Sequence, residues 1–370
     1  MKKILFLIHD LSVGGAEKVL VNLVNNMDLN KFDITVIALF GGGVNEKFLK
    51  SNIHYKYVFK KVFPANSKIM KLFSPQILHK LFIKDKYDIE ISYLEGPSAR
   101  IISGCPDKNV KLVSWIHSKQ QTKKAASVAF RGFEESTKCY STFDRTICVS
   151  ENVKEDMLNL YPGLKEVEVL YNTNNTQDIL RLKDEEVTDI EFDKNEIKLC
   201  GVGRVIPVKA FDMLAEIHKE LRESGYPIHT YILGVGPDTD KIKKYCQDNG
   251  IQESFTFLGY QTNPYKYVSK CDLFVCSSKS EGFSTAATEA LIVGTPVVTT
   301  LVSGMKEMLG ENNEYGVIAE NNKEVLYSTI KELLDNPDLL DRYKMKAKER
   351  GEFFSTENTV KAVENMLMDL

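Results

Sequence analysis

The sequence predicts an α/β protein built from two doubly wound parallel sheets in succession. Three observations carry this. Short apolar, β-branched runs alternate with amphipathic stretches along nearly the whole chain. Runs such as ILFLI (4–8) and ITVIAL (34–39) are apolar without a break, as in strands covered on both faces. The alternation stops once, over Arg181–Asn195, an acidic stretch with no sustained apolar period, and then restarts. A length of 370 residues fits two domains, each able to hold a core without metal or disulfide staples.

The first array, residues 1–180, offers strands at Lys3–Ile8, Asp33–Leu39, Ile89–Tyr93, Lys111–Ile116, Arg145–Val149 and Val167–Leu170. Between the first two lies a helix over Glu17–Asn26, with a broad apolar face of Val19, Leu20, Val21, Leu23 and Val24. Residues 181–196 read as the linker. The second array, residues 197–352, predicts strands at Ile197–Val202, Pro227–Leu233, Ser254–Phe257, Asp272–Cys276, Pro296–Thr299 and Gly316–Ile318. Helices are expected at Ala210–Glu223, Lys241–Asn249, Thr285–Val293 and Lys323–Leu334. The end of the chain, 353–370, is a separate helix, with Ser355 as its N-cap. In such an arrangement ligands are expected at the carboxyl ends of the strands.

Composition excludes several classes. With 43% hydrophobic residues the chain is neither disordered nor of low complexity. No run approaches the ~18 apolar residues of a membrane span. The start, MKKILFLIHD, imitates a signal peptide, but its apolar run is too short and ends at His9-Asp10. Seven cysteines without a C-x-x-C pair argue for reduced, buried thiols rather than zinc ribbons. The histidines share no metal-ligand spacing, so no metal cluster is visible. A net charge of −3 argues against nucleic acid. That charge is uneven: residues 1–180 hold 25 Lys/Arg against 19 Asp/Glu, and the remainder is acidic. Lys47–Lys86 holds ten Lys, one Asp and no Arg or Glu, interleaved with aromatics. This reads as attachment to an anionic membrane surface, with a solvated face over a core and single-stranded nucleic acid as the competing readings.

Several motifs are placed to carry chemistry. Ser12-Val13-Gly14-Gly15-Ala16 follows the first strand and opens the first helix. It is either an anion-binding turn or only a tight one, and it lacks the full dinucleotide fingerprint. Gly201-Val202-Gly203-Arg204, with Lys209 five residues on, sets two cations at a strand-to-helix turn. They suit a diphosphate clamp, with two solvated cations as the alternative. Ser280-Glu281-Gly282-Phe283-Ser284 leads into an apolar helix carrying Glu289, eight residues beyond Glu281. If both carboxylates lie along one helix, they stand about 12 Å apart. That is too far for a glycosidase pair and suits an elongated ligand with hydroxyls at both ends. Gly282 to Ser284 would supply amides for its anionic middle. His117 ends the strand KLVSWIH, before a loop with Lys119, Lys123 and Lys124, and faces the expected ligand site or serves structure alone. Asp238-Thr239-Asp240 is explained by helix capping without a metal.

Taken together, HDLSVGGAEKVLVNL, LCGVGRVIPVKAFDML and SSKSEGFSTAATEALIVGTPVV resemble the retaining glycosyltransferase family 4, which has the GT-B fold. The likeness covers nearly the whole chain and is most specific in the E-x7-E segment of Glu281 and Glu289. It implies two Rossmann-like domains facing across a cleft, with the terminal helix crossing back to the first. It implies a nucleotide diphosphate sugar donor, no cofactor and no metal. Gly14 and Gly15 match the donor loop, Arg204 and Lys209 the diphosphate contacts, and Glu281 with Gly282, Phe283 and Ser284 the sugar contacts. Glu289 matches the ribose contact, and His117 a histidine bordering the transferred sugar. Two departures stand out: Ala210 where a glycine commonly follows the lysine, and Tyr171-Asn172-Thr173-Asn174-Asn175 in place of P-N-G-V-D. The style of GGAEK, SYLEGPSAR and EGFSTAATEAL is similar to enzymes of capsule, exopolysaccharide or lipopolysaccharide synthesis. The expected function is transfer of a hexose-type sugar, UDP-linked, to a lipid-linked or oligosaccharide acceptor at the inner face of the cytoplasmic membrane. A nucleotide-sugar epimerase and a non-catalytic sugar-nucleotide-binding partner are the alternatives.

Overall fold

The computed structural model describes residues 1–12, 14–64 and 66–370. The chain forms two compact units, one of Met1–Asn174 with Thr356–Leu370, the other of Asn175–Ser355. In the first, β1 (Lys2–Ile8), β2 (Phe32–Phe40), β3 (His54–Phe59), β4 (Ile89–Ser92), β5 (Lys111–Ile116), β6 (Arg145–Cys148) and β7 (Glu166–Val169) make one sheet. Their order is β3-β2-β1-β4-β5-β6-β7, and every pairing is parallel. In the second, β8 (Ile197–Val202), β9 (Ile228–Leu233), β10 (Phe255–Gly259), β11 (Leu273–Cys276), β12 (Val297–Thr300) and β13 (Val317–Ala319) follow the order β10-β9-β8-β11-β12-β13, again all parallel.

Both sheets are covered on both faces by helices, which is why the unbroken apolar runs occur: Ile4 to Ile8 are wholly buried. Strand order reverses between β1 and β4 in one sheet and between β8 and β11 in the other. At such a reversal adjacent crossovers leave on opposite faces and open a crevice at the carboxyl ends of the strands.

The sequence reading lacks one strand and one long helix. β3 (HYKYVF) is an edge strand with only intermediate and exposed residues, so it shows no apolar run. The helix Pro337–Phe353 is strongly charged, and only four of its residues are buried, Leu340, Tyr343, Ala347 and Gly351. The division of the chain also differs from the expected one. The acidic segment after residue 181 bridges nothing. It is stitched to the second unit by Asn263 Nδ2 to the Leu182 carbonyl (2.8 Å), Ser269 Oγ to the Lys183 carbonyl (3.2 Å) and Tyr267 OH to Asp189 (2.6 Å). The chain passes between units at Asn174–Asn175 and again at Ser355–Thr356. The last helix, Thr356–Met368, packs within the first unit, where Glu364 accepts from the Asp28 amide (2.6 Å) and Lys31 (3.2 Å).

Gly351 meets the helix Thr285–Val293, which carries Glu289. A Cβ there would lie 2.7 Å from both Ile292 Cα and the Leu291 carbonyl oxygen. Gly351→Ala gains about 1 kcal/mol of helix propensity but forces two backbones apart, at about 1–3 kcal/mol. The net expectation is destabilisation, read as a lower urea midpoint for the unit of Asn175–Ser355.

Candidate active site

In the second unit the loops after β8 and β11, on either side of the strand-order reversal, meet. Lys209 Nζ lies 2.6 Å from Glu281 Oε1, and Ser278 Oγ donates to the same oxygen at 2.6 Å. Among the described residues no hydrogen bond falls on Glu281 Oε2. The loops are bound along their backbones as well. Ser277 Oγ donates to the Lys209 carbonyl (2.8 Å), and the Lys279 amide to the Val208 carbonyl (2.8 Å). Thr300 Oγ1 on β12 fixes the Ser278 carbonyl (2.5 Å).

Lys209 ends a short turn, Pro207–Lys209, and Ala210 follows in the left-handed region (φ 50°, ψ 40°). This accounts for a residue that looked anomalous in the sequence: the position favours glycine, and alanine holds it at about 1–2 kcal/mol. Gly203 (φ +154°) lies under the lysine stem, 3.4 Å from Lys209 Cε to where a Cβ would stand. A Cβ on Gly234 would overlap the Gly203 carbonyl oxygen at 1.8 Å. These glycines therefore let the ends of β8 and β9 close on each other, besides shaping the cation turn. Arg204 is exposed, and among the described residues it has no ion-pair partner.

The structure corrects the spacing argument for the two glutamates. The helix begins at Thr285 with Ser284 as its N-cap, whose Oγ accepts from the Ala287 amide (3.3 Å). Glu281 thus precedes the helix, and a helical rise does not measure its distance from Glu289. Glu289 is 8% exposed and accepts from Tyr265 OH (3.1 Å), a partner the sequence did not suggest. The side chain of Phe283 serves the packing of this turn. Its ring is buried edge-on against Phe354 (5.7 Å) and beneath Gly304, which makes it the apolar anchor of the Glu281–Ser284 turn. Asp238 occupies the N-cap position of the helix Thr239–Asp248 without a side-chain cap bond, and Asp240 lies in its first turn.

In the first unit Gly14 is the N-cap of the helix Gly15–Asn26; Val13 of the same motif lies outside the described residues. A Cβ on Gly14 would stand 2.0 Å from Glu17 Oε2. The carboxylate of the third helical residue thus packs against the Gly14 Cα, an approach that a side chain there would block.

His117 follows β5. Its backbone amide donates to Glu95 Oε2 (3.0 Å), and Ser118 Oγ donates to the other oxygen of Glu95. The ring lies 4.8 Å from Tyr93 and is stacked with Trp115. The residue is partly exposed, but its Nε2 is buried, and burial pushes its pKa down to about 3. Among the described residues, His117 Nε2, Tyr93 OH and Trp115 Nε1 are buried without hydrogen-bond partners. A buried polar atom left unpaired costs about 1–3 kcal/mol, so three around one set of rings mark a place for water or ligand. Beside them a cavity of about 340 Å³ is lined by Glu95, Ser118, Lys119 and Gln120, among others. Sequence reasoning missed Tyr93, Glu95 and Trp115, because only the fold makes neighbours of the ends of β4 and β5.

A third assembly also escaped the sequence reading. His79, Glu90 and Cys105 converge in the first unit, their donor atoms all within 4.8 Å of one another. Separations of eleven and fifteen residues match no ligand motif.

Comparison with known proteins agrees with this architecture. The family model described as glycosyl transferases group 1 matches residues 183–350, and that of glycosyltransferase family 4 matches residues 13–178. A Campylobacter jejuni protein, N-acetylgalactosamine-N,N'-diacetylbacillosaminyl-diphospho-undecaprenol 4-alpha-N-acetylgalactosaminyltransferase, is 27% identical over 374 residues, covering 96% of both chains. The Rhizobium meliloti lipopolysaccharide core biosynthesis glycosyltransferase LpsD is 21% identical over 369 residues, 98% of this chain and 96% of its own. Among solved structures, Anabaena Alr3699/HepE in complex with UDP has a TM-score of 0.76 and 17% identity over 100% of both chains. A UDP complex of Staphylococcus aureus TarM has a TM-score of 0.73 and 17% identity over 99% of both.

The buried imidazole gives a direct test. The unfolded chain takes up this proton near pH 6.5, whereas the folded protein refuses it until about 3. The stability tied to His117 is therefore complete above pH 6.5 and is lost as pH falls below it. In NMR, the ring resonances of His117 should not titrate between pH 8 and 5, and a midpoint near 6.5 would contradict the buried ring.

Proposed function

We propose, for a chain that belongs to the GT-B glycosyltransferases of the family 4 type, that it moves a hexose-type sugar from a UDP-linked donor to a growing lipid-linked surface glycan with retention of configuration. The observation that carries this reading is the Lys209–Glu281 contact of 2.6 Å at the strand-order reversal. An ammonium has three donors, so one bond to Glu281 leaves two for phosphate oxygens. Arg204 adds a planar fork and a positive charge that no described residue neutralises. The leaving diphosphate gains charge in the transition state, where preorganised cations act most strongly. Glu281 keeps Oε2 for sugar hydroxyls, and Glu289, held by Tyr265, takes the ribose. The donor site operates without a metal, since the two cations do the neutralising. Neutral His117 contributes a hydrogen bond rather than a proton, and the cavity at Glu95, Ser118 and Lys119 admits the acceptor.

Names among the relatives support both substrates. The Campylobacter jejuni protein is named for a diphospho-undecaprenol-linked substrate, and the HepE and TarM structures hold UDP.

No helix among the described residues is long and apolar enough to cross a membrane. The reading therefore places the first unit on the inner face of the cytoplasmic membrane through 47–86, of which Ala65 lies outside the described residues. Nine of the ten lysines there are exposed, only Lys71 being partly buried. Leu72 is 76% exposed, and Phe73, Ile77 and Leu81 are exposed beside it. This apolar tip is held firmly. Arg100, itself buried, donates to the carbonyls of Met70 (2.9 Å) and Phe73 (2.7 Å), and Arg131 to those of Lys71 (2.7 Å) and Leu72 (3.1 Å). Glu135 pairs with Arg100 at 3.0 Å and accepts the Arg131 amide at 2.6 Å. At ~1 kcal/mol per lysine near an anionic leaflet, four or five suffice for reversible binding.

Incubation with a panel of sugar nucleotides and lipid extracts, scored by release of nucleotide diphosphate, tests the activity. Isomerised donor without acceptor would reveal an epimerase instead. Lys209→Ala and Arg204→Ala should each lower kcat by roughly 10²-fold or more, about 2.7 kcal/mol. Glu289→Ala should mainly raise KM for donor, and a chelator should leave turnover intact.

For the membrane, sedimentation should show binding to anionic vesicles that fades as salt shortens the Debye length to ~3 Å near 1 M. Equal binding to neutral vesicles, or no effect of changing Lys56, Lys60, Lys61 and Lys68 to Glu, would overturn it.

A further inference from the structure

We propose that His79, Glu90 and Cys105 form a binding site for one borderline-soft divalent cation of the zinc class. The three donors come from separate elements: His79 from the helix Pro75–Phe82, Glu90 from β4, and Cys105 from the turn after the helix Pro97–Ile102. All their ligand atoms lie within 4.8 Å of one another. Imidazole, carboxylate and thiolate together are a donor set that zinc accepts, with water as a fourth ligand.

The competing explanation is a plain buried ion pair. His79 Nε2 lies 2.7 Å from Glu90 Oε2, and both side chains are almost wholly buried. Two features go beyond that explanation. An ion pair needs no sulfur, yet Cys105 Sγ lies within 4.8 Å of both partners, besides donating to the Asp107 carbonyl at 3.7 Å. Cys105 is also the only one of the seven cysteines that is not buried, so the cluster has a route to solvent on its thiol side. His79 Nε2 and Glu90 Oε2 point at each other, so a cation would enter between them. Ligands at ~2.0–2.3 Å in tetrahedral geometry stand ~3.3–3.8 Å apart. His79 and Glu90 need to open by about half an ångström or slightly more, and Cys105 to close by about 1.5 Å at most. Coordination displaces protons from the thiol and the imidazole.

Its place in the fold separates this site from transfer chemistry. Glu90 pairs with Leu5 and Leu112. The carboxyl ends of β1 and β5 lie three or four residues further on, about 10–13 Å at the rise of a strand. The cation would instead tie the helix Pro75–Phe82 to β4. That helix shows exposed Ile77 and Leu81 on its outer side. The site is a structural clip for the helix bearing the apolar surface.

The test uses the full chain, stripped with chelator and titrated with cobalt and zinc chlorides. One Co²⁺ per chain should bind with a thiolate-to-cobalt charge-transfer band, and the band should vanish in Cys105→Ser. Zn²⁺ should slow alkylation of Cys105 by iodoacetamide at least tenfold. It should also raise the melting temperature of the wild type but not of Cys105→Ser. Cys105 is peripheral, so its serine variant keeps the fold, and the alkylation assay needs no variant at all. Absence of the thiolate band, its survival in Cys105→Ser, or alkylation indifferent to Zn²⁺ would overturn the proposal.

Discussion

The contact between Lys209 and Glu281 organises the second unit. It joins loops 72 residues apart across the point where the sheet reverses its order. A partly buried ion pair is poor evidence of stability, because desolvation offsets much of its attraction. Its use here is geometric. The left-handed Ala210, the Ser277–Lys209 bond and the hold of Thr300 on Ser278 all fix the two backbones that carry the pair. The site's electrostatics follow from it: one cation balanced by one carboxylate, and Arg204 exposed with no ion-pair partner among the described residues.

The first unit handles polarity differently. It brings together polar atoms that have no hydrogen-bond partner among the described residues, on Tyr93, Trp115 and His117, at the carboxyl ends of β4 and β5. Around them Glu95 holds the His117–Ser118 backbone. Buried groups of this kind are expensive unless something completes them. A fold that keeps them places its readiness for a polar ligand in the sheet rather than in a mobile loop.

The same unit separates tasks along its sheet. The apolar tip at Leu72 and Phe73 is braced by Arg100, Arg131 and Glu135. The neighbouring helix is tied inward at His79. Each device sets a buried polar group behind the exposed apolar surface, Arg100 in one and His79 in the other.

Much of this was legible in the residues. Parallel strands buried on both faces must be apolar throughout, so β1, β2 and all six strands of the second sheet announced themselves, and Thr285–Val293 was readable to the residue. Glu281, Glu289, Arg204 and Lys209 stood out by their types and their places after predicted strands, although the helical spacing assumed between the two glutamates did not hold. Edge strand β3 stayed hidden, since an edge needs no apolar run. Ala210 looked like a departure until its φ of 50° showed why glycine is favoured there. That the Glu17 carboxylate packs against Gly14 was not visible in the sequence. Tertiary structure alone decided that Phe283 is an anchor, that Tyr265 holds Glu289, and that His79, Glu90 and Cys105 meet. The physical reason is common to these cases. Periodicity and composition report which face of an element is dry, whereas contacts between side chains on different elements depend on strand order and register, which local sequence does not encode.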